Sequence, residues 1–507
     1  MQSAVMVRMI KSLQGEIIIR FSSVMLVPVI LLSGCAVGPN YRPPDATALS
    51  VPASYSLPMA AADGADLAAW WSQFHDPLLT DLIGRATAAN LDIAVSQSRL
   101  IQARESLIQA RGALFPSING STGFSHNVTY APSGTVVVGS GNPSTGGSVV
   151  STGGNSAINQ ISLGLDASWQ VDIFGGTRRS IEAARANADV ALFNLAAVRT
   201  SAAGEVASNY VDARLAQARL AIARDTLKTQ DDNLQIAGWR VQAGLVSSTD
   251  AEQARAQRAQ TAASIPLLQN TLVNAVSRLG VLTGQAPGSL RQTMEASAPI
   301  PHGPDAVATG IPADTIRQRP DVRSAERSLA AATAQIGVAQ AQLYPALNIT
   351  GRITTTAAQF SSIGDIVTGT LFAGLTQTIF DAGRLRSQLR SARAAADGAF
   401  ATYKQTILSG LEDVENAVQA LNSAKARQTE LAIAADASNN AAILARSQYR
   451  AGLTDFLTLL QSEQSLLSAR DSLASAEADQ ARALIQLYLA LGGGWQPASP
   501  ETIGSPS

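Results

Sequence analysis

Leu114-Phe115-Pro116-Ser117-Ile118-Asn119-Gly120 returns 229 residues later as Leu343-Tyr344-Pro345-Ala346-Leu347-Asn348-Ile349. Asp92 pairs with Asp321 and Ala103 with Ala332 at the same spacing, so no gap intervenes upstream. Farther along, Ile173-Phe174 with Arg178 recurs 206 residues on as Ile379-Phe380 with Arg384, and Ala243-Gly244-Leu245 recurs 208 residues on as Ala451-Gly452-Leu453. Three ordered matches mark an internal twofold repeat, a periodicity that constrains the architecture before any local reading. The spacing shrinks from 229 to 206, so the first half holds 23 more residues between Pro116 and Phe174. They fall in the Ser/Gly/Thr-rich stretch 133–155, which has too little apolar surface to bury and reads as an exposed loop.

Each half reads as helix, strand, loop, strand, long helix, tight turn and returning helix. In the first long helix, about 177–242, Thr177, Ile181, Ala184, Ala188, Ala191, Leu195, Val198 and Ala202 alternate at three and four residues. Leu385, Leu389, Ala392, Ala396, Ala399 and Tyr403 do the same in the second, about 383–450. A seam of this period specifies coiled-coil packing, and alanine in it lets helix axes approach closely. About sixty residues without proline span on the order of 90 Å at 1.5 Å per residue. The helices stop at Gly244 and Gly452, where glycine supplies a left-handed cap, and return over about 248–284 and 455–491.

Pro116 and Pro345 push the residue before them into an extended conformation, and short alternating segments follow at 118–128, 161–171, 347–355 and 371–380. In the second, Ile161, Leu163, Leu165, Ala167, Trp169 and Val171 face one way while Ser162, Gly164, Asp166, Ser168 and Gln170 face the other. Apolar-out, polar-in alternation over about ten residues is the mark of a membrane barrel strand. Four strands cannot close a barrel, and an open edge in lipid leaves backbone groups unpaired. Eight strands from two chains would fill the lumen with side chains; twelve from three leave a pore, so a trimer is expected.

Lys plus Arg number 37 against 38 acidic residues, a balance that gives no basis for a nucleic-acid partner. His75, His126 and His302 stand apart in unlike contexts, and no nucleophile, phosphate-loop, dinucleotide or zinc-ligand spacing appears, so no catalysis, metal or cofactor is expected. Trp70 and Trp71 read as packing rather than as a ligand cage. The one cysteine, Cys35, follows basic residues (Arg8, Lys11, Arg20) and the apolar run 24–32, the pattern of a secretory signal. Leu32-Ser33-Gly34-Cys35 resembles the bacterial lipobox, which implies cleavage before Cys35, a thioether-linked diacylglycerol and an acylated amino group. Ala36, rather than an aspartate, implies sorting to the outer membrane.

Gly34-Cys35-Ala36-Val37-Gly38-Pro39-Asn40-Tyr41 with Arg42-Pro43, Trp70-Trp71 through Phe74-His75-Asp76-Pro77-Leu78, Asn90-Leu91-Asp92, Leu114-Phe115-Pro116, Asp172-Ile173-Phe174-Gly175, Arg319-Pro320-Asp321-Val322 and Tyr449-Arg450-Ala451-Gly452 together resemble the TolC-like outer-membrane efflux protein family. Within it they resemble the lipoprotein, NodT/OprM-like branch serving resistance-nodulation-division (RND) pumps. The fold implied is mostly α with transmembrane β: a homotrimer whose twelve-stranded barrel, four strands per chain, continues into a long α-helical coiled-coil barrel through the periplasm. The segments expected are a signal peptide (1–34), a lipidated N-terminal part of an equatorial belt (35–75), repeat 1 (76–285), an equatorial linker (286–313), repeat 2 (314–491) and a tail (492–507). The implied partners are outer-membrane lipid, a periplasmic adaptor (membrane fusion) protein and an inner-membrane RND transporter. The resemblance assigns adaptor contact to the hairpin tips Gly244, Leu245, Gly452 and Leu453, and an apolar gate to Leu457. Gln461 occupies a position where related channels commonly carry aspartate, so a neutral ring is expected there, with Asp455 and Glu463 as nearby charge or as solvated helix-end acids. The function implied is a passive exit duct for small molecules such as drugs. A duct for type I protein secretion and a non-conducting lipid-anchored coiled-coil scaffold are the competing readings.

Overall fold

The computed structural model describes residues 36–45, 48–52, 54–56, 67–129, 136–138, 150–152, 156–304 and 316–495. The expected signal segment, the expected lipidation position Cys35 and residues 496–507 of the expected tail lie outside the described residues.

Local chemistry sets the element boundaries. After a 3-10 segment, Leu67–Phe74, helix α1 (Pro77–Ala89) starts where the Asp76 carboxylate accepts from the amides of Leu78 (2.9 Å) and Leu79 (3.1 Å), with proline at the first position, where no N–H is missed. Asn90 does the same for α2 (Leu91–Gly112), accepting from Asp92 and Ile93. The long helices are α3 (Gly176–Gln242) and α6 (Arg384–Arg450), 67 residues each, or about 100 Å at 1.5 Å rise. Their returning partners, α4 (Ser248–Leu282) and α7 (Phe456–Ala490), have 35 residues each, and α5 (Pro320–Ala341) has 22, as does α2. Carboxylates open both long helices from different places in the repeat: Asp172 accepts from Thr177 and Arg178, Asp381 from Gly383 and Leu385. No helix among the described residues is long and apolar enough to cross a membrane.

The chain divides into two compact units, each drawing on both of the expected repeats rather than on one apiece. The first comprises the described parts of 1–41, 105–185 and 330–396. Its core element is an antiparallel sheet in the order β1 (Ser117–Thr129), β4 (Ser156–Val171), β5 (Ala346–Ala357), β6 (Val367–Thr376). Between β1 and β4, β2 (Val136–Val138) pairs with β3 (Val150–Thr152), so the stretch expected as pure loop carries a short ribbon, consistent with its β-branched valines. The fourth strand corrects the expected 371–380. Pairing of Ala346 with Thr376 ends β6 where Pro345 ends its partner, and Ile379 and Phe380 fall beyond it, almost fully exposed. Its start at Val367 was hidden by Gly369, which breaks the apolar alternation.

The second unit comprises the described parts of 42–104, 186–329 and 397–507. Its main core gathers Trp70, Phe74, Leu79, Leu82 and Ile83 against Val206, Tyr210, Leu279, Val414, Ile485 and Tyr488. Trp70 stacks on Tyr488 with ring centroids 5.4 Å apart and sits edge-on to Phe74, so its role is packing. Along α3 the seam residues Ala188, Leu195 and Ala202 are buried. Ion pairs stitch the helices: Arg258 to Asp231 (α4 to α3, 2.7 Å), Arg470 to Asp225 (α7 to α3, 3.0 Å) and Arg427 to Asp479 (α6 to α7, 3.0 Å). Exposed pairs of this kind contribute at most about 1 kcal/mol each and serve registry more than stability.

Candidate functional site

The sheet of the first unit carries two chemically opposite faces. Register aligns Ile118, Gly120, Thr122 and Phe124 of β1 with Ile161, Leu163, Leu165 and Ala167 of β4. Leu165, Ala167, Trp169 and Val171 of β4 pair in turn with Ile353, Gly351, Ile349 and Leu347 of β5, and Gly351, Ile349 and Leu347 pair with Leu371, Ala373 and Leu375 of β6, where Val367 lies on the same face opposite Thr355. Most of the large members of this face are open to their surroundings: Ile118 at 71%, Phe124 at 68% and Leu371 at 82%. The opposite face is Asn119, Ser121, Ser162, Asp166, Ser168, Asn348, Thr350, Arg352, Thr354, Thr368 and Thr370, with Phe372 its one aromatic among the described residues. The outer edges, β1 and β6, have no strand partner among the described residues. The sheet is therefore a curtain with one greasy side, one wet side and two unsatisfied borders.

In the second unit, the two hairpin turns are built alike. At the end of α3 the Leu245 amide donates to Arg240 O (2.9 Å) and the Gly244 amide to Val241 O (3.0 Å); at the end of α6 Leu453 donates to Gln448 O (2.9 Å) and Gly452 to Tyr449 O (3.0 Å). Both are Schellman caps, and both glycines take the left-handed φ the motif requires, +69° and +76°. Leu245 and Leu453, next in line, are exposed. Beneath the turns Ala237, Ala254, Ala445, Tyr449, Phe456 and Leu459 are packed together, and Arg240 binds Tyr449 twice, donating to its carbonyl (2.9 Å) and lying 4.6 Å over its ring.

The sequence-predicted gate residues separate on α7. Leu457 and Gln461 share an exposed face one turn apart. Asp455 is the N-cap, accepting from the Thr458 amide (2.9 Å), and hydrogen bonds from the Thr458 side chain and amide hold its carboxyl below the usual range. Glu463 departs from expectation: it is neither a solvated helix-end acid nor a charge on the Gln461 face. It is 6% exposed and turned into the helix packing, where Asn233 Nδ2 of α3 donates to both its oxygens (2.7 Å each) and Arg446 of α6 lies at 3.2 Å. A helix turns about 100° per residue, so two positions carry a side chain to the far side.

Sequence reasoning missed other organising residues. Arg179 is buried and grips the segment just after Cys35, donating to Val37 O, Gly38 O and Asn40 Oδ1 (2.7 Å). Gly38 has φ +99°, and a Cβ there would lie 2.5 Å from Gly337 Cα, so this segment docks only as glycine. Tyr210 donates to Asp76 (2.6 Å) and receives Arg214; burial, then Asp76, pushes its hydroxyl far up. Tyr488 is pushed up to about 12 by burial. The histidines remain apart, His126 bonded to Asn159 (2.6 Å) and His75 in a turn with φ +51°. Among the described residues no group of His, Cys, Asp or Glu could hold a metal ion.

Residues 82–285 and 311–493 match the family model described as outer membrane efflux protein. The chain belongs to that family. It is similar to nodulation protein T of Rhizobium leguminosarum bv. trifolii, 32% identical over 93% of this chain and 97% of the relative. It is also similar to the pyoverdine export outer membrane protein OpmQ of Pseudomonas putida, 29% identical over 90% of this chain and 95% of that one. Among solved structures the outer-membrane channel OprN superposes with a TM-score of 0.80 at 34% identity, covering 91% of this chain and all of that one. The outer membrane efflux proteins are channels, not enzymes, and this member is an efflux exit duct without a catalytic role.

Proposed function

We infer that three copies of the chain close a twelve-stranded barrel in the outer membrane and continue it as a helical conduit into the periplasm, forming the passive exit duct of a tripartite RND-type pump for small molecules. The two-faced, open-edged sheet carries this reading. In hydrocarbon each unpaired amide and carbonyl costs several kcal/mol, so β1 of one copy and β6 of the next must pair, with the apolar face on lipid and the polar face on the lumen. The twofold repeat is supported by the matched helix lengths, which make each chain contribute two near-equivalent hairpins to the conduit. Acyl chains on Cys35 anchor the protein, and the Arg179 clamp on residues 37–40 holds the segment that leads away from the anchor.

Exposed Leu245 and Leu453 at the tips form the contact for a periplasmic adaptor, which opens the duct; Leu457 supplies the apolar gate and Gln461 a neutral polar ring above it. Purified acylated protein in a planar bilayer tests this directly: stepwise ionic current is expected, and its absence would favour a non-conducting tether. Deleting the chain should make a small toxic compound accumulate in the cell; retention of a secreted protein instead would assign the duct to type I secretion.

A further inference from the structure

The four long strands hold 51 residues, and only Asp166 and Arg352 among them carry a formal charge at neutral pH. They are direct cross-strand partners on the polar face, and Asp166 Oδ1 meets Arg352 Nε at 2.8 Å. Register puts them in one row, Asn119, Asp166, Arg352, Thr370, and the rows on either side hold only Ser, Gly, Thr and Phe372. Ser121 Oγ approaches the other carboxylate oxygen at 3.4 Å. Both side chains keep contact with the open polar side, at 46% exposure for Arg352 and 40% for Asp166.

An ion pair this exposed stabilises a sheet little, and a neutral Thr–Thr pair would serve the strand contact as well. Its electrical effect is larger, because low-dielectric walls focus the field of any wall charge onto a narrow aqueous path. With no other charge on this wall, one unmatched group per chain would set the sign of the lumen.

We propose that Asp166 and Arg352 form the charge-balancing pair of the barrel, a matched pair that keeps its wall neutral so that permeant species of either sign pass the outer-membrane segment without preference. This rests on the reading that the polar face lines a conducting lumen. Discrimination by charge then falls to other parts of the pump, and the barrel sorts by size and polarity alone.

The test is the cation-to-anion permeability ratio of single channels under a potassium chloride gradient at about 0.1 M, where the Debye length of about 10 Å lets one wall charge act across a narrow lumen. Arg352→Gln should raise the ratio several-fold, Asp166→Asn should lower it several-fold, and the swap Asp166→Arg with Arg352→Asp should return it to the wild-type value. Single variants that conduct with an unchanged ratio overturn the proposal. So does failure of both singles to assemble with recovery in the swap, since the pair would then act on the sheet and not on passing ions. A wild-type protein that passes no current strikes the channel reading itself, an outcome separable from these.

Discussion

Gln461 and Glu463 lie two positions apart on α7, and the packing gives them opposite surroundings: the neutral amide sits on the exposed face with Leu457, while the carboxylate is held inside by Asn233 and Arg446. Removing Asn233 would leave Glu463 short of donors at a cost of about 1–3 kcal/mol. Leu457→Ser should raise the conductance of closed channels by removing an apolar ring; unchanged current in single-channel records would count against the gate. Gly452→Ala would set its Cβ in ordinary contact with Arg240 Nη2 (3.8 Å) but must hold a left-handed φ, so the helical hairpin should lose about 1–2 kcal/mol in thermal melts followed by circular dichroism. Tyr488 predicts an alkaline limit. Its folded pKa is raised, so its contribution is complete below about 10, where the unfolded tyrosine ionises, and is lost as pH climbs through about 12. Tyr488→Phe should flatten the fall in melting temperature over that window. The side of a helix that touches its sisters follows from how hairpins pair. Glu463 therefore could not be placed from spacing, whereas Gly244 and Gly452, whose demand is local, could.

At the scale of elements, periods of 3.5 and 2 are written into the chain itself, and the long helices, the returning helices and the first and third strands lie close to where those periods put them, while the second strand starts earlier, at Ser156. The fourth strand slid because its end is set by its partner's Pro345 and its start is masked by Gly369. The returning helices differ in one respect that the repeat does not anticipate. Pro266 lies inside α4, where it has no N–H for the Ala262 carbonyl, while α7 carries Ala474 at the matching place. Pro266→Ala should therefore stabilise α4 by up to about 3 kcal/mol, read as slower hydrogen exchange on either side of the substitution. Equal exchange in the variant and the parent would show that the packing of α4 already compensates for the missing bond.

For the whole molecule, the family and the mostly helical fold with a four-stranded antiparallel sheet were legible because the motifs spread along the chain agree in order. The two compact units were not, since each is assembled from both repeats and no linker in the sequence separates them. What unites the levels is the border of the sheet: β1 and β6 present backbone groups that only another strand can satisfy in lipid, and the two other strands among the described residues, the three-residue β2 and β3, pair with each other. Native mass spectrometry of the acylated protein released from mild detergent tests that claim most directly. Three copies per particle are predicted; a single copy that retains its strands would contradict the account.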